Sequence, residues 1–124
     1  MRKIILLLSL IFVFGLSGCM NNSNYKSITM EQAKEIMDTT EGYIILDVRT
    51  IEEFNTGHIP NAINIPNEVI YDEATKILTD KEQVILVYCR SGRRSKEASS
   101  KLVELGYSNV LEFGGILDWK YEIE

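Results

Sequence analysis

Two short, uninterrupted apolar runs constrain the fold more than any other feature of this sequence. They occupy residues 43–46 (YIIL) and 84–88 (VILVY), and neither alternates with polar residues. A strand that is apolar on both faces must be covered on both faces, as the inner strands of parallel sheets are. Segments with helical periodicity lie between and after these runs. This alternation predicts an α/β fold with a mainly parallel central sheet flanked by helices on both faces.

Capping and turn signals place the helices between the predicted strands. Thr29 with Gln32, and Thr50 with Glu53, match the capping box that opens a helix. We expect helices at about residues 30–37, 51–56, 68–78, 95–105 and 116–119, and further strands at about 62–65 and 110–113.

Composition limits the classes of function that fit. The chain has 124 residues and a formal net charge of −5. The length suits one domain, and the negative charge argues against a nucleic-acid binder, which needs a basic face for phosphates. Two cysteines and one histidine are too few for a disulfide-rich scaffold and leave little for a zinc site.

The start of the chain has the order of a secretory leader. Residues 1–3 (MRK) are basic, residues 4–16 are uncharged and almost wholly apolar, and two small residues precede Cys19. The apolar run is shorter than the roughly 20 residues of a membrane-spanning helix. The pattern resembles the lipobox of bacterial lipoproteins, which implies cleavage before Cys19 and attachment of lipid, with acyl chains such as palmitate, to that cysteine.

The lipoprotein interpretation divides the chain into three parts. Residues 1–18 are the signal peptide, residues 19–26 the lipidated cysteine with a flexible tether, and residues 27–124 the folded domain. The protein is then expected outside the cytoplasm, held on the bacterial cell membrane by lipid and not by a basic patch. A cleaved leader with an incidental cysteine, and an uncleaved anchor, are the alternatives.

The junction after the second apolar run combines a nucleophile with positive charge. Cys89 ends the predicted strand, and Arg90, Arg93 and Arg94 follow within five residues. Ligands of open α/β sheets bind at the carboxyl ends of strands, where the next helix also directs unpaired N–H groups. Gly92 allows those groups to converge. These features predict a thiolate that attacks an anionic substrate; the alternative is a buried, inert cysteine among surface arginines.

Four motifs in order resemble those of the single-domain rhodanese-like sulfurtransferases, and together they cover about residues 28–119. They are residues 47–49 (DVR) followed by Glu53 and Phe54, residues 57–66 (GHIPNAINIP), residues 89–95 (CRSGRRS) and residues 114–119 (GGILDW). Asn61 stands where the family usually has glycine. The resemblance implies the rhodanese fold.

The resemblance also implies sulfur transfer through Cys89. The cysteine takes the outer sulfur of an anionic donor such as thiosulfate, releases sulfite and holds a persulfide. A thiol, cyanide or a thiol protein then accepts that sulfur. Backbone N–H groups of residues 90–95 stabilise the persulfide, and neither a metal nor an organic cofactor is needed.

The other site residues fall into two groups under this resemblance. The donor-binding residues are those of the loop, with Arg90 and Arg94 ranked ahead of Arg93, and with Ser91, Gly92 and Ser95. The structural supports are Asp47 and Arg49 as polar links at a strand end, Glu53 beside Arg49, and His58 as a residue that holds loops together.

Two other functions stay open. A persulfide carrier would dock on a partner protein and turn over thiosulfate poorly. A phosphatase or arsenate reductase of related fold would carry five residues between its cysteine and arginine, whereas four separate Cys89 from Arg94. The shorter loop fits a single terminal sulfur better than a tetrahedral phosphate.

Overall fold

Both apolar runs form the centre of a parallel sheet in the computed structural model, which describes residues 24–124. Strands β2 (Ile44–Asp47) and β4 (Ile85–Cys89) lie side by side, and every residue of β4 is buried. The other strands are β1 (Lys26–Ser27), β3 (Ile63–Asn64) and β5 (Val110–Gly115). The described sheet has the order β1-β5-β4-β2-β3 with all pairs parallel, which confirms the predicted fold class.

The described residues form four helices, and two of them begin at the capping signals of the sequence. They are α1 (Met30–Thr39), α2 (Ile51–Asn55), α3 (Ile70–Ile77) and α4 (Arg93–Glu104), with single 3-10 turns at Asn67–Val69 and Ile116–Asp118. Both predicted capping boxes are formed. The Thr29 side chain accepts a hydrogen bond from the Gln32 amide, and the Gln32 side chain accepts one from the Thr29 amide. Thr50 and Glu53 form the same two bonds.

Alternate residues of the central strands build two separate core layers, because successive side chains of a strand point to opposite faces. On one face, Leu46, Val87 and Cys89 pack against α3 and α4 through Ala74 and Leu102. On the other face, α1 and α2 cover the sheet with residues that include Ala33 and Phe54, which pack with Ile45, Leu86, Tyr88 and Phe113. Cys89 therefore ends β4 on the face that α4 covers.

The structure differs from the predicted elements at three places. Strand β1 was not predicted, because two exposed polar residues carry no apolar pattern; main-chain pairing to β5 forms it. The predicted helix at 68–78 is divided into a 3-10 turn and α3. Helix α4 begins at Arg93, two residues before its expected start, so Arg93 and Arg94 lie in its first turn and not in the loop.

The predicted signal peptide and the predicted lipid site at Cys19 lie in residues 1–23, outside the described part of the chain. Of the residues assigned to the tether, Tyr25 packs against the first core layer and Lys26 pairs with β5. The folded part thus extends to Tyr25, two residues before the expected boundary at 27. No helix within residues 24–124 is long and apolar enough to cross a membrane.

Candidate active site

Cys89 is fully buried at the carboxyl end of β4, and two main-chain amides point at its sulfur. The N–H of Gly92 lies 3.0 Å from Cys89 Sγ, and the N–H of Ser95 lies 3.2 Å from it. Both amides belong to the start of α4, where N–H groups have no partner within the helix. Their bonds and the positive end of the helix favour negative charge on the sulfur.

The loop reaches this geometry through one left-handed residue. Gly92, the residue that precedes α4, has φ 119° and ψ −18°, a conformation that side chains other than that of glycine rarely adopt. It reverses the chain after Arg90 and Ser91, so the first turn of α4 points back at Cys89. The prediction that Gly92 lets amides converge on the sulfur matches this geometry.

Strand β5 supports the loop from the side by close backbone contact. Its pairing with β4 shifts register between Val87 and Cys89, which brings Gly115 opposite Cys89. A Cβ at Gly115 would overlap the carbonyl group of Arg90, so only glycine fits. The N–H of Leu117 then donates to the Arg90 oxygen at 3.1 Å. Gly115 is therefore explained by the approach of β5 to the loop, whereas Gly114 has a left-handed φ of 95°.

The three arginines that follow Cys89 have different surroundings. Arg94 forms a two-bond ion pair with Glu53, with Nη1–Oε1 at 2.8 Å and Nη2–Oε2 at 3.1 Å. Arg93 pairs with Glu97 at 3.0 Å along the exposed side of α4. Arg90 is exposed, and its side chain has no carboxylate within ion-pair distance among residues 24–124. Of the three predicted donor ligands, Arg90 alone is thus free of an acidic partner in the described structure.

The Glu53 carboxylate bonds Arg94, whereas we expected it to support Arg49. The hydrogen bonds from Arg94, and after them the bond from the Thr50 amide, lower the pKa of the Glu53 carboxyl to about 2. The same pair raises the pKa of the Arg94 guanidinium. Helix α2 and helix α4 are thereby joined by charge beside Cys89.

Asp47 and Arg49 link parts of the fold on the other face of the sheet. The buried Asp47 carboxylate accepts Arg49 Nη2 at 2.7 Å and Arg49 Nε at 3.0 Å. Arg49 Nη2 also donates to the carbonyl of Gly57 at 2.7 Å, and Asn64 Nδ2 donates to the carbonyls of both residues of the pair. These bonds fix the end of β2 to the turn after α2.

His58 lies in that turn, and its contacts are structural. Its ring stacks on Phe54 with centroids 3.8 Å apart, and Nδ1 is 3.1 Å from the Phe54 carbonyl oxygen. Its main chain pairs with Glu124 through two hydrogen bonds. His58 therefore contacts the turn and the tail, which fits the expected support of loops.

Sequence reasoning missed Glu112, a carboxylate in β5 with only 1% of its surface exposed. Ser95 Oγ lies 2.7 Å from its Oε2, and the Gly114 N–H lies 2.8 Å from the same oxygen. A signal was present, because Glu112 is charged yet stands at a core position of a strand that is otherwise apolar up to Gly114. Ser91 is exposed, whereas Ser95 is buried between the sulfur and Glu112.

The donors that reach Cys89 Sγ among the described residues are the main-chain amides of Gly92 and Ser95. Within residues 24–124, no group of three or more histidine, cysteine, aspartate or glutamate side chains is placed to hold a metal ion. The site thus presents a sulfur nucleophile with hydrogen-bond donors for negative charge.

Comparison with known families identifies this arrangement. A family model described as the rhodanese-like domain matches residues 29–122. The chain belongs to the rhodanese family. Its relatives include proteins named sulfurtransferase and sulfur carrier, so the rhodanese domain has a sulfurtransferase or sulfur-relay role.

Three individual similarities are informative. The chain is 37% identical over 73 residues to the thiosulfate sulfurtransferase PspE of Escherichia coli strain K12, covering 59% of this chain and 70% of that protein. It is 34% identical over 105 residues to the putative sulfur carrier protein YrkF of Bacillus subtilis strain 168, covering 84% of this chain. The match spans only 56% of the length of YrkF. A solved rhodanese with anions from E. coli aligns with TM-score 0.62 and 33% identity, covering 66% of this chain and 96% of that one.

The Glu53–Arg94 pair predicts an acid-sensitive part of the stability. Because Glu53 has its pKa lowered from about 4.5 to about 2 in the folded protein, its contribution is complete above pH 4.5 and is lost as pH falls toward 2. Glu53→Gln removes the charge but keeps an oxygen for the Thr50 cap. We expect it to lower the free energy of unfolding by about 1 kcal/mol at pH 7, measured by urea denaturation.

The difference between wild type and Glu53→Gln should shrink between pH 4.5 and pH 2. Glu31→Gln is the matched control, since its carboxylate is exposed and lies 3.7 Å from Lys120, away from the loop. A difference that stays the same at pH 3 and pH 7 would contradict the assignment of this effect to the ion pair.

Proposed function

We propose that the protein transfers a sulfane sulfur from an anionic donor, such as thiosulfate, to a thiophilic acceptor through a persulfide on Cys89. The observation that carries this proposal is the pair of amides, from Gly92 and Ser95, within 3.2 Å of Cys89 Sγ. They stabilise a thiolate before the reaction and can stabilise the terminal sulfur of a persulfide after it.

The chemistry balances without a cofactor. The Cys89 thiolate attacks the outer sulfur of thiosulfate, the S–S bond of the donor breaks, and the bonding pair leaves with sulfite. An acceptor thiolate or cyanide then attacks the outer sulfur of the persulfide, and Cys89 leaves as a thiolate. Because Cys89 is fully buried, the loop must shift for the donor to reach its sulfur.

Charge around the loop supports an anionic donor. Arg93 and Arg94 already have carboxylate partners, whereas Arg90 is exposed and free of one among the described residues. Arg90 and the loop amides are therefore the groups that we assign to the sulfonate end of the donor. The similarity to PspE, which is named a thiosulfate sulfurtransferase, and to a rhodanese solved with anions agrees with this choice.

A sulfur carrier is the second candidate. The similarity to YrkF, which is named a putative sulfur carrier protein, extends over 105 residues. A carrier needs the same persulfide but passes it to a docked partner and not to small acceptors. A phosphatase or arsenate reductase is disfavoured, because α4 begins only four residues after Cys89 and the loop before it is short.

We further propose that lipid on Cys19 holds the protein on the outer side of the cytoplasmic or another cell membrane. The supporting observation is the sequence order of basic residues, apolar run and small residues before Cys19. Of the two cysteines in the sequence, only Cys89 would then remain as a thiol. The persulfide would have no second cysteine in its own chain to resolve it.

Intact-mass measurement tests the persulfide. Incubated with thiosulfate, the purified protein should gain the mass of one sulfur atom, and cyanide should remove it as thiocyanate. Cys89→Ser is the control and should gain nothing. An equal adduct on Cys89→Ser, or none on the wild type, would reject both sulfur-transfer candidates. Fast adduct formation with very slow turnover to every small acceptor would favour the carrier over the enzyme.

Arg90→Ala should raise the KM for thiosulfate about tenfold, because it removes the free guanidinium that we assign to the sulfonate. The KM for an uncharged organic polysulfide should change much less. Arg93→Ala is the matched control, since Arg93 already forms an ion pair with Glu97. Steady-state kinetics with both donors measure the effect, and equal changes for the two donors would argue against a sulfonate contact.

Metabolic labelling tests the anchor. In a bacterial host, a labelled fatty acid should be incorporated into the full chain, and Cys19→Ala should lose the label. Cys89→Ala, which removes the other cysteine, should keep it. Label that persists in Cys19→Ala would refute lipidation at this position.

A further inference from the structure

Glu112 is a buried carboxylate whose every oxygen has a partner. Oε2 lies 2.7 Å from Ser95 Oγ and 2.8 Å from the Gly114 amide nitrogen, and Oε1 lies 2.9 Å from Ser27 Oγ. Lys96 Nζ is 3.7 Å from Oε1. Burying a carboxylate is costly, and such a set of donors is what offsets that cost.

The partners of Glu112 lie on both sides of the Cys89 loop. Ser95 follows the loop and donates its amide to Cys89 Sγ at 3.2 Å. Gly114 precedes Gly115, whose backbone packs against the start of the loop at Arg90. One carboxylate therefore joins the helix that closes the loop to the strand that supports it.

The Ser95 hydroxyl has one proton and two acceptors within reach. Glu112 Oε2 is at 2.7 Å and the carbonyl oxygen of Gly92 is at 2.9 Å. The charged and nearer acceptor is the stronger one. Ser95 therefore bonds Glu112 through its side chain and the Cys89 sulfur through its amide.

We propose that Glu112 is a positioning residue of the Cys89 site: by holding Ser95 and Gly114 it aims the Ser95 amide at the sulfur and so favours the thiolate. This deepens the function proposed above and rests on Cys89 being its nucleophile. Glu112 does not contact the sulfur donor; it acts through Ser95. The role is opposite to that of a bare negative charge near a thiolate, which would disfavour the anion.

Alkylation by neutral iodoacetamide separates the positioning role of Glu112 from the effect of its charge, because the alkylation rate follows the thiolate fraction of Cys89 and needs no sulfur donor. The reaction at Cys89 is measured against pH in wild type and Glu112→Gln. Loss of positioning should move the midpoint of the profile up by roughly one pH unit and slow alkylation about tenfold below the midpoint. A midpoint that moves down would show a charge effect and overturn the proposal. An unchanged midpoint with a lower Tm would show a structural role only and also overturn it.

Two further variants complete the test. Glu31→Gln removes an exposed carboxylate of α1 and should leave the profile as in wild type. Ser95→Ala keeps the amide but breaks the link to Glu112, so it should move the midpoint in the same direction as Glu112→Gln. The double variant should shift the midpoint little further than either single variant, because both changes break the same Ser95–Glu112 hydrogen bond.

Ser95→Ala also provides an answer if Glu112→Gln does not fold. An upward midpoint in Ser95→Ala supports the proposal, and an unchanged one overturns it. Apart from Glu112 itself, the charged groups near the loop are the same in all these variants: Arg90, Arg93 with Glu97, Arg94 with Glu53, and Lys96. A failed persulfide test would reject the proposed sulfur transfer and leave this result standing.

Discussion

The left-handed turn at Gly92 is the constraint on which the site depends. Without it, the chain leaving β4 could not reverse within three residues, and the amides at the start of α4 would not face Cys89. The turn has little energy of its own to hold it. Its stability comes from neighbours: Gly115 packs against the peptide after Arg90, and Ser95 is tied to Glu112.

Less unpaired positive charge lies near Cys89 than the three arginines after it would suggest. Three arginines stand within five residues of Cys89, yet two of them are neutralised by Glu53 and Glu97. The groups that bond Cys89 Sγ are the amides of Gly92 and Ser95 at the start of α4, whereas Arg90 is exposed. Fixed dipoles of this kind need no reorganisation when charge moves, whereas mobile surface side chains do. An acidic protein can therefore hold an anion site without a basic surface.

Much of this could be predicted from local patterns. The apolar runs located β2 and β4, and the threonines at 29 and 50 located two helix starts, because these signals lie within a few residues of what they specify. The position of Cys89 at a strand end followed in the same way. Strand β1 escaped prediction, since main-chain pairing with β5 leaves no mark on two exposed side chains. The start of α4 was misplaced because a left-handed glycine can precede a helix with no capping side chain.

Contacts between distant residues were the other gap. The pairing of Glu53 with Arg94 joins residues 41 positions apart, and a nearer arginine made a more obvious partner in the sequence. Glu112 was visible only as a charge in an apolar strand, and its meaning depends on which helix covers that face. The family resemblance supplied the roles of Cys89, Asp47 and Arg49, but not which loop arginine stays unpaired.

The two-residue strand β1 has a mechanical consequence. It lies beside β5, and Ile28 donates its amide to the carbonyl of Glu112 at 2.9 Å, while Ser27 bonds the Glu112 side chain. A pulling force on the chain before Lys26 would act first on the hydrogen bonds between β1 and β5. The load would pass next to the strand that supports the reactive loop. Strand β1 and the loop that follows Cys89 are thus separated by a single strand, β5.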